Sequence, residues 1–166
     1  MIRIGVDFGG TKIEAAALGA DGAVVARVRA PNPGAYTDAV RTAADLVAQV
    51  ERETGQKASR VGIGHPGSTS PVDGLIRNAN SPWLNGMPSG ADIEAALGRP
   101  VRLANDANCL ALSEATDGAG AGGRIVFAAI LGTGCGGGLA IDGQVVQGRN
   151  GIAGEWGHTP LPWAKD

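Results

Sequence analysis

The sequence predicts an α/β fold, a mixed sheet with flanking helices, and three observations carry that prediction. A meander of short apolar runs broken by glycines opens the chain, and a similar one comes near its end. Between them, apolar strand-like runs alternate with amphipathic helical stretches. Strands joined by crossover helices imply a layered α/β architecture.

In chain order, residues 2–6 form an apolar run that ends at Asp7-Phe8-Gly9-Gly10-Thr11-Lys12. Residues 13–18 follow, then the turn Gly19-Ala20-Asp21-Gly22, then residues 23–28, which reads as three antiparallel strands with a glycine-rich first connection. The spacing predicts a helix over Tyr36–Thr54, with Tyr36, Val40, Ala43, Val47 and Val50 on one face and Gly55 as its stop. Residues 60–64 read as a buried strand leading into His65-Pro66-Gly67-Ser68, with His65 expected in the loop. Ser89 with Asp92 is expected to open a short helix carrying Ile93 and Leu97 and ended by Gly98. Residues 101–104 read as a strand, and Asn105-Asp106-Ala107-Asn108 begins a helix with Ala107, Leu110, Ala111 and Glu114 at helical spacing.

The stretch from residue 130 to 158 is the densest in signal. The apolar run Ile125–Leu131 enters glycines 132, 134, 136, 137 and 138, whose lack of Cβ would let backbone N–H groups converge on phosphate. Residues 139–141 leave for an Asp142-Gly143 turn. Gly132, Gly134 and Gly137 also satisfy G-x-G-x-x-G, but the dinucleotide fingerprint needs a helix after the glycines, and a hairpin is the better reading here. Both meanders run strand, glycine-and-threonine hairpin, strand, Asp-Gly, strand. That order fits either two unrelated hairpins or an internal duplication whose hairpins clamp one polyphosphate.

Composition narrows the classes. The formal charge of -2 is dispersed, which argues against a nucleic-acid or membrane surface. No apolar run approaches the ~20 residues of a membrane span. The opening residues lead straight into a strand-like segment, so no secretory leader is expected. Cys109 and Cys135 are isolated thiols rather than a disulfide framework, which fits a reducing cytoplasm. Glycine is the outlier: 28 residues occur where average usage gives about 12, as many tight turns near a ligand would require.

Asp106 falls at a strand end and a helix start, the edge where open α/β sheets bind ligands. It either caps the helix with Asn105 or accepts the proton of an attacking hydroxyl, its helix N-terminus keeping it ionised. Asp7, beside Gly9, Gly10, Thr11 and Lys12, lacks Walker spacing. That segment is either a simple turn or a cradle of glycine amides and a threonine hydroxyl for phosphate, with Asp7 near a hydrated Mg²⁺. Glu155 and His158, three apart in a glycine-rich stretch, can both point at one polyhydroxylated ligand.

Taken together, these motifs resemble the ROK family of sugar kinases, within the actin-like and hexokinase-like ATPase fold (ribonuclease H-like). Residues 7–12 resemble its first phosphate motif, 105–108 its catalytic segment and 130–158 its signature. The resemblance implies that Asp106 is the base that deprotonates a sugar hydroxyl. It implies Asn105, Glu155 and His158 as sugar ligands, with Gly67, Ser68 and Asn80 beside them. ATP phosphates would rest on Asp7, Gly9, Gly10, Thr11 and Lys12 and on Gly132, Thr133 and Gly134, with Mg²⁺. Segments 78–86 and 154–163 look closest to fructokinase and mannokinase members, so the expected substrate is fructose, with mannose second. Glucokinase or N-acetylhexosamine kinase specificity is the alternative.

Family members continue into a cysteine-rich Zn²⁺ motif to which His158 would give one ligand; Cys109 and Cys135 lack zinc-site spacing. The expected layout is therefore an N-terminal domain over 1–120 and the start of a second similar domain over 121–166. The strands within 125–146 would expose an apolar face and favour self-association, as a homodimer. A sugar-sensing regulator of the same family is the competing class, but the repressors carry an N-terminal helix-turn-helix, and here the first strand begins at Ile2. A NAD-dependent dehydrogenase would need a helix after Gly137.

Overall fold

The computed structural model describes residues 1–132, 134–157, 159–160 and 163. It divides into two compact units, residues 1–106 and 107–166.

In the first unit, β1 (Arg3–Phe8), β2 (Lys12–Leu18) and β3 (Val24–Pro31) form the expected antiparallel meander. α1 (Tyr36–Thr54) follows, then β4 (Val61–His65), the short strands β5 (Ser68–Thr69) and β6 (Ile76–Arg77), α2 (Ser89–Leu97) and β7 (Val101–Asn105). The five-stranded sheet runs β3-β2-β1-β4-β7, with β1, β4 and β7 parallel. Ile4, Val6 and Phe8 of β1 and Ile13, Ala15 and Ala17 of β2 are buried, while the alternate positions of β1 (Arg3, Gly5 and Asp7) are exposed. α1 covers the buried face with Ala39, Val40, Ala43, Leu46, Val47 and Val50. Each buried valine or leucine contributes about 2 kcal/mol.

Both helices stop at the expected glycines. α1 stops at Gly55, which takes the left-handed conformation (φ 64°), and α2 stops at Gly98 (φ 63°). The expected cap at Ser89 does not form. Ser89 is the first helical residue, Pro88 takes the cap position without a side-chain bond, and Asp92 instead accepts a hydrogen bond from the Tyr36 hydroxyl at 2.6 Å. A tertiary partner on α1 has displaced the local one. A second tie between these segments is Arg99, whose guanidinium donates to both carboxylate oxygens of Glu51 and to the Ala58 carbonyl.

In the second unit, α3 (Asp106–Thr116, its first residue closing the first unit) precedes β8 (Ile125–Leu131), β9 (Cys135–Ile141) and β10 (Gln144–Val145). Their sheet order, β10-β9-β8, is again an antiparallel meander, matching β3-β2-β1 in topology. Asp142 (φ 50°) and Gly143 (φ 73°) both take positive φ, as a tight two-residue hairpin turn demands.

The glycine nest read from the sequence is only partly a loop. Gly136, Gly137 and Gly138 lie inside β9, where a missing Cβ serves packing instead. A Cβ on Gly138 would strike the Ala107 carbonyl and come within 2.8 Å of the Ala111 methyl; one on Gly137 would come within 2.6 Å of the Trp156 ring. α3 thus seats directly on β9, and it groups with the hairpins rather than with the preceding sheet. Because β9 continues to Ile141, the helix that a dinucleotide fingerprint needs after Gly137 is not formed.

No described helix is long and apolar enough to cross a membrane.

Candidate active site

Register places the chemistry of the first unit at one sheet edge. Asp7 pairs with Gly64, Gly64 with Ala104, and His65 with Asn105, so Asp7, His65, Asn105 and Asp106 gather at the carboxyl ends of three adjacent parallel strands. Open α/β sheets present ligand-binding residues at that edge. Asp106 sits where β7 turns into α3, and its Oδ1 accepts a bond from Asn105 Nδ2 at 3.1 Å.

Asp7 and Asp106 are close enough to couple. Crowding by the surrounding protein raises the Asp7 carboxyl above the usual carboxylate range; Lys12 opposes the rise, and Asp106 and Glu14 add to it. Asp7 is thus opposed by two acidic groups and relieved by Lys12, whose Nζ lies 3.8 Å from Glu14; Glu14 also pairs with Arg27 at 3.2 Å. Such an edge suits a ligand that brings positive charge.

The connection after Asp7 has little room. A Cβ on Gly9 would come within 2.8 Å of the Lys12 carbonyl, and one on Gly10 within 2.8 Å of Ser81 Oγ. Asn32 fixes this connection from outside: its Nδ2 donates to the Gly9 carbonyl at 2.7 Å, and its backbone N–H to the Thr11 carbonyl at 2.9 Å. Thr11 is exposed at the tip. Asn32 was not singled out from the sequence, where Asn32-Pro33-Gly34 shows only turn chemistry.

Gly67 is left-handed (φ 76°), pressed against the backbone of Arg77 and Ala79, and its carbonyl accepts Asn105 Nδ2 at 2.8 Å. Ser68, in β5, is buried. Asn80 is exposed beside Ala79, whose N–H and C=O are both held by the Asn85 side chain.

His65 corrects an expectation. It is the last residue of β4, not a loop residue, and only 2% exposed, because it continues the inward alternation of Val61 and Ile63. Burial holds its imidazole below the ordinary histidine range, against the opposing pulls of the Pro66 carbonyl and Asp106.

Glu155, Gly132 and Gly134 belong to the second unit. Glu155 Oε1 accepts from the backbone N–H groups of Trp156 and Gly157, each at 3.0 Å, which fixes the carboxylate against its own turn. Trp156 Nε1 donates to the Gly136 carbonyl and anchors that turn on β9. Gly132 N–H donates to the Gly134 carbonyl and closes the β8–β9 loop. Thr133 and His158, predicted as phosphate and sugar or metal ligands, lie outside the described residues. Cys109 and Cys135 are exposed thiols, not joined in a disulfide, and no group of three metal-ligating side chains gathers among the described residues.

Against known proteins, the model of the ROK family matches residues 3–165. The chain belongs to the ROK family. It is 45% identical over 159 residues to an N-acetyl-D-glucosamine kinase of Pectobacterium atrosepticum, covering 95% of this chain and 52% of the relative. Among solved structures, it superposes on a ROK glucokinase from Streptomyces griseus in complex with glucose and AMPPNP, with a TM-score of 0.87 and 34% identity, covering 95% of this chain and 50% of that one. A ROK hexokinase from Thermus thermophilus gives a TM-score of 0.85 at 36% identity, covering 97% and 54%. The fold is therefore the hexokinase-like ATPase fold of ROK proteins. This ROK chain spans about half the length of the curated relatives it matches.

Proposed function

We propose that this ROK protein is a sugar kinase that transfers the γ-phosphoryl group of ATP to a hydroxyl of a hexose or N-acetylhexosamine. The observation that carries the reading is Asp7 and Asp106 at the same edge of the parallel strands β1, β4 and β7, close enough to interact electrostatically, beside the narrow Gly9–Gly10 connection. Phosphoryl transfer needs little covalent help from the protein; positioning and charge neutralisation do most of the work.

In this reading Asp106 accepts the proton of the attacking sugar hydroxyl. Asn105 holds Asp106 Oδ1 with one amide hydrogen and the Gly67 carbonyl with the other, so the base has a fixed direction. Gly9, Gly10, Thr11 and Lys12 receive phosphate oxygens, with Gly132, Thr133 and Gly134 as the second hairpin. The acidic excess around Asp7 fits a hydrated Mg²⁺, which takes one or two carboxylates plus water and phosphate and would neutralise charge on the transferring group. Glu155, already fixed by its own turn, and His158 complete the sugar ligands, with Ser68 and Asn80. His158 is also the residue the family pattern would give to zinc; the described residues offer no companion ligands, and no step is assigned to that metal.

The segments at 78–86 and 154–163 suggest fructose or mannose. The Pectobacterium relative is named for N-acetylglucosamine and the Streptomyces structure for glucose, and these two support a gluco-configured acceptor. The test is phosphorus NMR of reactions containing Mg-ATP and N-acetylglucosamine, glucose, mannose or fructose singly. A sugar phosphate from one of the first two is the expected product. Product from fructose or mannose alone would reverse the specificity, and ATP left intact with all four would refute kinase activity of this chain by itself.

A further inference from the structure

His65 is a buried, chemically capable side chain that this mechanism leaves without a role. It stands beside Asn105 in the parallel β4–β7 register, and both are buried, at 2% and 7% exposure. Its Nδ1 lies 2.9 Å from the Pro66 carbonyl, and its Nε2 lies 3.0 Å from Thr69 Oγ1. A carbonyl can only accept, so Nδ1 carries the proton. In the neutral ring Nε2 then accepts from the Thr69 hydroxyl. The ring thus bridges both ends of the turn 66–69, and the middle of that turn is Gly67, whose carbonyl receives Asn105. Nothing at position 65 is needed for the strand itself, where an aliphatic side chain would continue the Val61 and Ile63 pattern equally well.

We propose that His65 is a positioning residue: as a neutral imidazole clamped between Pro66 and Thr69, it sets the Gly67 carbonyl and, through it, the orientation of Asn105 and Asp106. The functional consequence rests on the kinase reading; the clamp itself does not. Burial, which keeps the ring neutral, agrees with the acceptor role of Nε2. Among the described residues, the charged group bearing on His65 is Asp106, which in turn acts on Asp7.

Nitrogen-15 labelling of histidine gives two imidazoles, His65 and His158, and His158→Gln tells them apart. His65 is expected as the Nδ1–H tautomer throughout neutral pH; an Nε2–H tautomer would overturn the clamp. Two variants then read its effect. His65→Leu and Thr69→Val should each shift the Asn105 side-chain amide resonances. Each should also lower kcat by roughly tenfold or more with KM for ATP within about twofold, since small misplacements of reacting groups cost one to two orders of magnitude. The double variant should be no worse than His65→Leu, and His65→Asn, which keeps a donor near Pro66, should recover part of the loss. Unmoved Asn105 resonances and unchanged kcat beside a lowered melting midpoint would reduce His65 to a packing residue. If the unaltered protein transfers no phosphoryl group, the kinase reading fails, and the tautomer and the Asn105 resonances still decide the clamp.

Discussion

Gly67 and Gly74 offer a controlled comparison, because both take left-handed φ (76° and 73°) and only one is confined. An alanine at either position pays about 1 kcal/mol for the left-handed backbone. At Gly74 nothing lies within 4 Å of the new Cβ, so the cost stops there. At Gly67 the Cβ would strike the Arg77 carbonyl and come within 2.7 Å of Ala79 N and 2.9 Å of its Cα. These are backbone atoms and cannot swing aside, so an overpacking cost of about 1–3 kcal/mol is added. Gly67→Ala should therefore lose about 2–4 kcal/mol, against about 1 for Gly74→Ala. Urea unfolding followed by far-ultraviolet circular dichroism measures both, with the slope m unchanged. For a chain of this size the excess lowers the thermal midpoint of Gly67→Ala by roughly 2–12 °C more than that of Gly74→Ala. Equal losses, within about 0.5 kcal/mol, would refute the idea that the turn is pressed onto the 77–79 backbone, and with it the fixed position of the carbonyl that holds Asn105.

Three further outcomes are expected. Tyr36 is the only tyrosine, and burial with its bond to Asp92 pushes its pKa up to about 12 from 10.0. That raised value stabilises the fold fully below pH 10 and the gain is lost as pH climbs toward 12, so phenolate absorbance should rise near 12; a midpoint near 10 would contradict the Tyr36–Asp92 contact. Glu51 is held below its ordinary 4.5, first by the Arg99 hydrogen bonds, so its contribution is complete above 4.5 and fades as pH falls through the lowered value. Glu51→Gln should flatten the acid limb of stability against pH, and Arg99→Met should cost about 1–3 kcal/mol at pH 7, as leaving a half-buried carboxylate without its hydrogen-bond partner does; an unchanged acid limb would count against the pair. On β8, Ile125 and Leu131 are 65% and 75% exposed, and Ile125→Lys with Leu131→Lys should shift sedimentation toward monomer; identical sedimentation of variant and parent would exclude this face from self-association.

Much of the fold was legible because it is written in short-range patterns. Tyr36–Thr54 shows its apolar stripe and its glycine stop in adjacent residues, and the Asp142-Gly143 turn needs only its two positive φ angles. The hairpin after Leu131 could be told from a dinucleotide-binding helix by the apolar run and turn that follow it. What sequence did not show depends on partners far along the chain. Asn32 reaches back to Gly9, Asp92 leaves its own helix end for Tyr36, and Gly137 and Gly138 have no room for a Cβ because of Trp156 and α3. His65 did carry a local signal, the two-residue period of Val61 and Ile63, but a histidine before proline reads first as a loop. Asp7, Asn105 and Asp106 stood out as residues; that register gathers them at one sheet edge required the strand order.

The central claim is that Asp106 takes the proton from a sugar hydroxyl during transfer from ATP. Asp106→Asn is the sharpest test, because an amide keeps an oxygen that can accept from Asn105 Nδ2 while losing the base. The measurement is ADP release with Mg-ATP and N-acetylglucosamine or glucose, beside a calorimetric titration of the same sugar into both proteins. The account predicts a fall in kcat of about 10²–10⁴-fold with sugar affinity within about tenfold. Turnover close to that of the parent protein, with the sugar still bound, would contradict it.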